Sequence, residues 1–308
     1  MISEAVQIEA PAKVNLYLDV LGKRDDGYHQ LETIMQSISL CDFVTIIPDY
    51  SNTPGEIELI TRIISDSSKI NDFPVDESNL IIRAVRLLLE QYEFPAVKVI
   101  LEKYIPLEAG LAGGSSNAAA TLFGVNELFD LGLSQDDLAR LGAKLGSDVP
   151  FCVYGGTMLA TGRGEELHPM NSIPNCYFVL VKPEFGSSTA QVYSALNMSG
   201  FQKNNYNELT CADIISSLEK GTLTDIVENM YNKMEPIVIN WFDEMMDIYN
   251  KLKSVGALKV MMTGSGSTVV GVYSEYQTAL LAKNKLECEV ESVYISIPRQ
   301  LGVGKENS

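Results

Sequence analysis

Val14, Leu16, Leu18 and Val20 alternate with Lys13, Asn15, Tyr17 and Asp19, the two-residue period of a strand with one apolar and one polar face. Val97, Val99 and Leu101 repeat that period and predict a strand over 96–104. The period then lengthens. Ala118, Leu122, Val125 and Phe129 recur at helical spacing, with Gly132 as the expected stop. A further helix is predicted over 134–146, capped by Ser134 with Asp137 three residues on and Leu138, Leu141 and Leu145 on one face. In the second half, strands are predicted at 177–181 and 293–297, and two more within 258–273 around Gly264-Ser265-Gly266. Helical stretches run through Tyr231 and Trp241, and another covers 276–286. Between residues 49 and 76, Ser51-Asn52-Thr53-Pro54-Gly55 and Asp66-Ser67-Ser68 read as hairpin and loop.

This mixture of strands and helices predicts an α+β fold, and 308 residues with 46% hydrophobic content suffice for two cores. A break near Gly162-Arg163-Gly164 puts the expected domains at 1–158 and 159–300, with a frayed tail over 301–308. No apolar run reaches the roughly 20 residues of a membrane span, and no basic-then-apolar leader opens the chain, so a soluble, non-exported protein is expected. The five cysteines, at 41, 152, 176, 211 and 288, are odd in number and scattered, and there are only two histidines. That pattern predicts reduced thiols in a cytoplasm and no structural zinc. The net charge of −17 repels a nucleic-acid backbone. It also means that an anionic ligand must be held by backbone dipoles, a few placed cations and a divalent metal, which implies magnesium.

Four segments carry candidate chemistry. Pro106-Leu107-Glu108-Ala109-Gly110-Leu111-Ala112-Gly113-Gly114-Ser115-Ser116 joins the 96–104 strand to the following helix. Its glycines allow a ligand close to the backbone, and the helix start points free N–H groups at an anion; the serine pair also reads as an ordinary N-cap. Lys13 and Asn15 share a strand face, either exposed or supplying a cation oriented by an amide. In Arg24-Asp25-Asp26-Gly27-Tyr28-His29, turn chemistry accounts for Asp26 and Gly27, whereas Tyr28 and His29 suit a flat heterocycle. In Gly146-Ser147-Asp148-Val149-Pro150, Asp148 reads both as a helix cap and as a base for an attacking alcohol. A last glycine loop, Thr263-Gly264-Ser265-Gly266, reads as a hairpin connection with room for a ligand-lining role. A P-loop is excluded, since Gly304-Lys305 is followed by Glu306 and residue 299 is arginine; no HRD, DFG or GxGxxG occurs.

Taken together, Ala10 to Leu18, Asp26 to His29, Pro106 to Ser116, Gly146 to Pro150 and Thr263 to Gly266 resemble, in order and spacing, the motifs of the GHMP kinase superfamily of small-molecule kinases. Residues 185–255 resemble it loosely. The resemblance implies an N-terminal α+β ATP-binding domain and a C-terminal ferredoxin-like domain with the site between them. It also implies ATP with Mg2+, and a small alcohol acceptor, here a cytidyl-diphosphate ester of methylerythritol phosphorylated on its 2-hydroxyl. By the same resemblance Asp148 is the general base, Lys13 stabilises the alkoxide and Asn15 orients the lysine. Residues 106–116 wrap the triphosphate, Asn79 lies near the adenine, and Tyr28 and His29 recognise cytosine opposite Tyr193. Ala112 stands where a glycine is common, Ser267 where proline is, and Glu108 adds a negative charge near the phosphates.

Overall fold

The computed structural model describes residues 5–64, 73–199, 209–290 and 292–305. Asp66-Ser67-Ser68 and residues 306–308 lie outside that set. Val6–Lys23 and His29–Asp49 form a long antiparallel pair. Ala96–Lys103 adds antiparallel to His29–Asp49, and Ile57–Ile63 adds parallel beyond it through the crossover helix Leu80–Leu89. The strand Ile57–Ile63 falls where the sequence reads as hairpin and loop. It is an edge strand with mostly half-buried side chains, so its alternation is weak.

Helix Gly113–Phe129 covers one face of this sheet, flanked by Leu80–Leu89, Gln135–Gly142 and Val149–Tyr154. Ile8, Ala10, Val44, Ile46, Val97 and Val99 share a core there with Ala118, Leu122 and Val125. The long helix ends at Asp130 with φ +51, before the glycine expected to stop it. Gln135–Gly142 keeps the predicted Ser134 and Asp137 capping box but ends short of residue 146, where Lys144 N and Leu145 N bond to Leu141 O and Gly142 O three residues back.

The second layer orders Ser292–Ser296, Tyr177–Lys182, Val269–Tyr273 and Lys259–Met262 in one antiparallel sheet. With helices after the first and third strands in sequence, this is the βαββαβ order of a ferredoxin-like layer. The chain recrosses to the first sheet repeatedly. Thr157–Thr161 pairs with His29–Asp49 and then with Glu166–Pro169, so the boundary expected at 158 falls inside a strand and the first layer runs to Pro169. Tyr231–Asn232, expected to be helical, pairs parallel with Tyr17 and Leu18. In the expected tail, Val303 is buried and Gly304–Lys305 pairs with Ile8 and Glu9. No helix among the described residues is long and apolar enough to cross a membrane.

The even-numbered residues of the first strand serve three cores in turn. Ile8 and Ala10 face the helix layer, Ala12, Val14 and Leu16 pack with Phe178, Leu180 and Met261 between the layers, and Leu18 and Val20 join the second layer's core. Register shifts after Pro11, Asn15 and Val20 accompany these changes of partner. The odd-numbered residues Lys13 and Asn15 are thereby buried as well.

Candidate active site

Lys13 and Asn15 are each 4% exposed, which removes the exposed-face reading. Lys13 Nζ donates to Asn15 Oδ1 at 2.7 Å and to the Gly110 carbonyl at 3.0 Å, and lies 4.0 Å from Asp148 Oδ2. The register shift beside Lys13 leaves its backbone N–H to donate to Leu111 O at 3.1 Å. Asn15 is fixed on its other side. Its Nδ2 donates to Thr33 Oγ1 at 2.8 Å, and its backbone N–H donates to Thr263 Oγ1 at 2.9 Å. Thr33 carried no signal in the sequence, and Thr263 only that of its glycine loop; each becomes informative when its strand or loop is placed beside Asn15.

The loop over 106–116 is built by alternating backbone hand. Glu108, Gly110 and Ala112 have positive φ and the residues between them do not, an arrangement that turns successive N–H groups toward one concave side. Helix Gly113–Phe129 begins directly after Ala112, and no side chain caps it. The serine pair is therefore inside the helix: Ser115 lines the cavity, while Ser116 is fully buried. Glu108, Gly110 and Ala112 also line the cavity, with the Glu108 carboxylate close to Gly186 of the second layer. Pro106, Leu107, Ala109, Leu111, Gly113 and Gly114 support the loop from outside the cavity lining. Asn79 caps Leu80–Leu89, accepting from Ile81 N at 2.9 Å and donating to Pro74 O at 2.6 Å, and does not line the cavity. Gly110 and Gly264 meet backbone to backbone: a Cβ on Gly110 would lie 2.5 Å from Thr263 O, and one on Gly264 2.8 Å from Gly110 O.

Asp148 occupies the N-cap position of Val149–Tyr154, with Pro150 in the first turn, but its side chain makes no capping bond. The carboxylate, 38% exposed, turns instead toward Lys13 and the cavity. The last glycine loop is clamped from three sides. Asn232, 3% exposed, donates to Met262 O and Gly264 O at 2.8 Å each, while Glu235 Oε2 accepts from Met262 N at 2.8 Å. Ser187 donates to Ser265 O at 2.5 Å, and Ser267 to Phe185 O at 2.6 Å. Asn232 escapes a sequence reading because it is a lone amide between two helical stretches.

One cavity of about 1170 Å³ runs from Lys13 and Asp148 to an aromatic end. There His29 and Tyr193 stack with centroids 4.5 Å apart. Burial, and next the Asp148 charge, push the Tyr193 hydroxyl well above the usual tyrosine range. Tyr28 is 54% exposed at the hairpin tip, where the Arg163 guanidinium lies 4.8 Å from its ring centroid. Tyr28, His29 and Tyr193 are thus brought to one end of the cavity, but the two tyrosines do not form an open slot; each has another partner.

Residues 79–156 match the N terminal domain of the GHMP kinases and residues 214–292 match their C terminal domain. The chain is a GHMP kinase, with the 106–116 loop in one layer and the last glycine loop in the other. A Syntrophomonas wolfei protein named 4-diphosphocytidyl-2-C-methyl-D-erythritol kinase is 41% identical over 291 residues, 94% of this chain and 96% of its own. A Bacillus cereus (strain B4264) protein of the same name is 41% identical over 288 residues, 93% and 94% of the two chains. A crystal structure of 4-(cytidine 5'-diphospho)-2C-methyl-D-erythritol kinase superposes with TM-score 0.75 at 30% identity, covering 95% of this chain and 98% of that one. Within the GHMP kinases the chain belongs to the 4-diphosphocytidyl-2-C-methyl-D-erythritol kinase family. The fold is shared more widely: homoserine kinase from Cytophaga hutchinsonii superposes with TM-score 0.76 at 18% identity over 99% of this chain and 98% of its own.

Proposed function

We infer that this protein transfers the γ-phosphoryl group of ATP to the 2-hydroxyl of 4-diphosphocytidyl-2-C-methyl-D-erythritol, releasing ADP. The observation that carries this reading is the placement of Lys13 and Asp148, 4.0 Å apart, in a cavity whose other end is aromatic. Asp148 takes the hydroxyl proton, the alcohol oxygen forms its bond to the γ-phosphorus, and the bond to the bridging oxygen of ADP breaks. Lys13, held by Asn15 and the Gly110 carbonyl, offsets charge on the alkoxide and on the transferring group. The concave backbone of residues 106–116 and the uncapped start of Gly113–Phe129 receive the triphosphate. The Ser115 hydroxyl in the cavity wall is a hard oxygen donor that fits a magnesium ion, which when bound neutralises phosphate charge. Tyr28, His29 and Tyr193 take the cytosine end. All five cysteines are unpaired, which favours a reducing compartment, the cytoplasm.

The test is ADP release with magnesium and ATP, comparing the cytidyl acceptor with mevalonate, homoserine, galactose and no acceptor. Turnover is expected with the cytidyl compound alone; turnover with another alcohol would overturn the acceptor assignment. Asp148→Asn should lower kcat by about 10²–10⁴-fold while ATP still binds, because the base is lost and the backbone cradle remains. An active Asp148→Asn variant would remove the base assignment.

A further inference from the structure

Helix Val149–Tyr154, which begins after Asp148, has only six residues. Isolated helices shorter than about 12–15 residues are marginal in water, so this one takes its position from what holds its ends. At its start Asp148 makes no side-chain capping bond, which leaves the carboxylate to face Lys13. At its other end the last four carbonyls, which no helix can satisfy internally, are all engaged. Phe151 O accepts from Gly155 N at 2.7 Å, and Val153 O from Gln135 Nε2 at 3.0 Å. The remaining two are taken by a distant segment of the chain: Cys152 O accepts from Val303 N and Tyr154 O from Gly302 N, at 3.0 Å each.

That segment leaves the second layer's edge strand Ser292–Ser296 and crosses to the first sheet. Arg299 anchors it there. Its guanidinium pairs with Glu9 and donates to Cys41 Sγ at 3.4 Å, its backbone N–H donates to Ser37 O at 2.8 Å, and its carbonyl accepts from Gln36 Nε2 at 3.0 Å. Ser37 and Gln36 are the register partners of Lys13 and Val14. Past the helix, Val303 enters the core that holds Val149, Phe151 and Cys152, and Gly304–Lys305 pairs with Ile8 and Glu9. The contact itself admits no side chain: a Cβ on Gly302 would collide with Cys152 O and lie 2.6 Å from Val153 O, and one on Gly155 would collide with Gly302 N. Resting on the assignment of Asp148 as base made above, we propose that residues 299–303 are a positioning strap for the reacting pair. They tie the end of the Asp148 helix to the strand positions opposite Lys13, and Arg299 and Gly302 thereby set the placement of the base against the lysine. A misplacement of about 1 Å among reacting groups costs on the order of 10²-fold in rate, which gives such a strap a direct effect on turnover.

The experiment measures kcat and ATP KM for the full chain carrying Gly302→Ala, Arg299→Met or Arg299→Lys, each in the wild-type and the Asp148→Asn background, with the folded fraction followed by urea unfolding. Gly302→Ala and Arg299→Met should lower kcat by about 10- to 100-fold, with ATP KM within about twofold of wild type because the 106–116 cradle is untouched. Arg299→Lys, which can keep the charge pair with Glu9, should recover part of the loss. In the Asp148→Asn background the same substitutions should change kcat by less than about twofold, since no base is left to misplace. Equal losses in both backgrounds mean that the strap acts on the fold alone, and they overturn the proposal while leaving the base assignment standing. An unchanged kcat in either folded variant overturns it too; should Gly302→Ala not fold, Arg299→Met carries the same test. Full activity in Asp148→Asn itself overturns the base assignment and the proposal with it.

Discussion

Asn15 has a single orientation open to it. Thr33 Oγ1 gives its proton to Tyr17 O at 2.6 Å, so it can only accept from Asn15 Nδ2, and Asn15 Oδ1 must then face Lys13 Nζ. The alternation around Lys13 and Asn15 made this pair legible in the sequence, whereas its threonine supports arrive from residues 18 and 248 positions away. Ala112 poses the opposite case, a residue conspicuous in sequence for replacing a common glycine. At φ +57 it pays the steric penalty of a left-handed L-residue, roughly 1–2 kcal/mol, at the uncapped start of helix Gly113–Phe129. Ala112→Gly should therefore raise stability by up to about 1 kcal/mol, the relieved strain being partly offset by the freer unfolded chain. Urea unfolding would show this as a higher midpoint at unchanged slope; a lower midpoint would mean that the alanine methyl contributes packing greater than its strain.

At the scale of elements, the exit of strand Ala96–Lys103 into the 106–116 loop rests on a buried ion pair. Asp42 Oδ1 accepts from Tyr104 N at 2.7 Å and Ile105 N at 2.8 Å, while Oδ2 accepts from Asn117 Nδ2 at 2.8 Å and from Lys103 Nζ. Lys103 is almost fully buried and Asp42 completely so. Lys103→Met would leave a buried carboxylate short of its counter-charge, and a loss of about 3–5 kcal/mol is expected in chemical denaturation. A change below about 1 kcal/mol would show that the three remaining donors suffice. The sequence did hold a trace of this arrangement: Lys103 continues the apolar phase of Val97, Val99 and Leu101, and a lysine in that phase needs a buried partner. Asp42 could not be identified as that partner, because the pairing spans 61 positions. Strands were legible where a clean two-residue alternation persists, as around Lys13 and over 96–104, but not in the long strand His29–Asp49, buried on both faces over much of its length, in Thr157–Thr161 and Glu166–Pro169, or in the edge strand Ile57–Ile63 and the short return Tyr231–Asn232.

Across the whole molecule, the two layers are joined by chain that returns, and the segment 232–235 is such a seam: Asn232 pairs with Leu18 of the first strand, and Glu235 bonds Met262 of the second sheet. Glu235 is a carboxylate whose burial, the largest influence on it, raises its pKa above the ordinary 4.5, only partly countered by the Met262 N–H. The sign follows directly. With the folded pKa above the unfolded one, the folded state binds the proton more tightly, so this contribution to stability is fully present below pH 4.5 and is lost as pH rises through the folded value. Glu32, raised by burial and then by Asp19, acts in the same direction. Asp49, Asp76, Asp137 and Asp213, each lowered chiefly by a neighbouring serine or threonine hydroxyl, act in the opposite one, their contribution disappearing as pH falls through their folded values. Global stability therefore sums opposing terms, and comparison with Glu235→Gln isolates one of them. The glutamine carbonyl can accept the same Met262 N–H but never charges. The stability difference between Glu235→Gln and wild type should move in the variant's favour as pH rises from 4.5 and level off above the folded pKa, in urea titrations at matched ionic strength. Parallel curves for the two proteins between pH 4.5 and 8 would mean that Glu235 ionises in the folded seam as freely as in the unfolded chain, and that the joint between layers is wetter than its packing indicates.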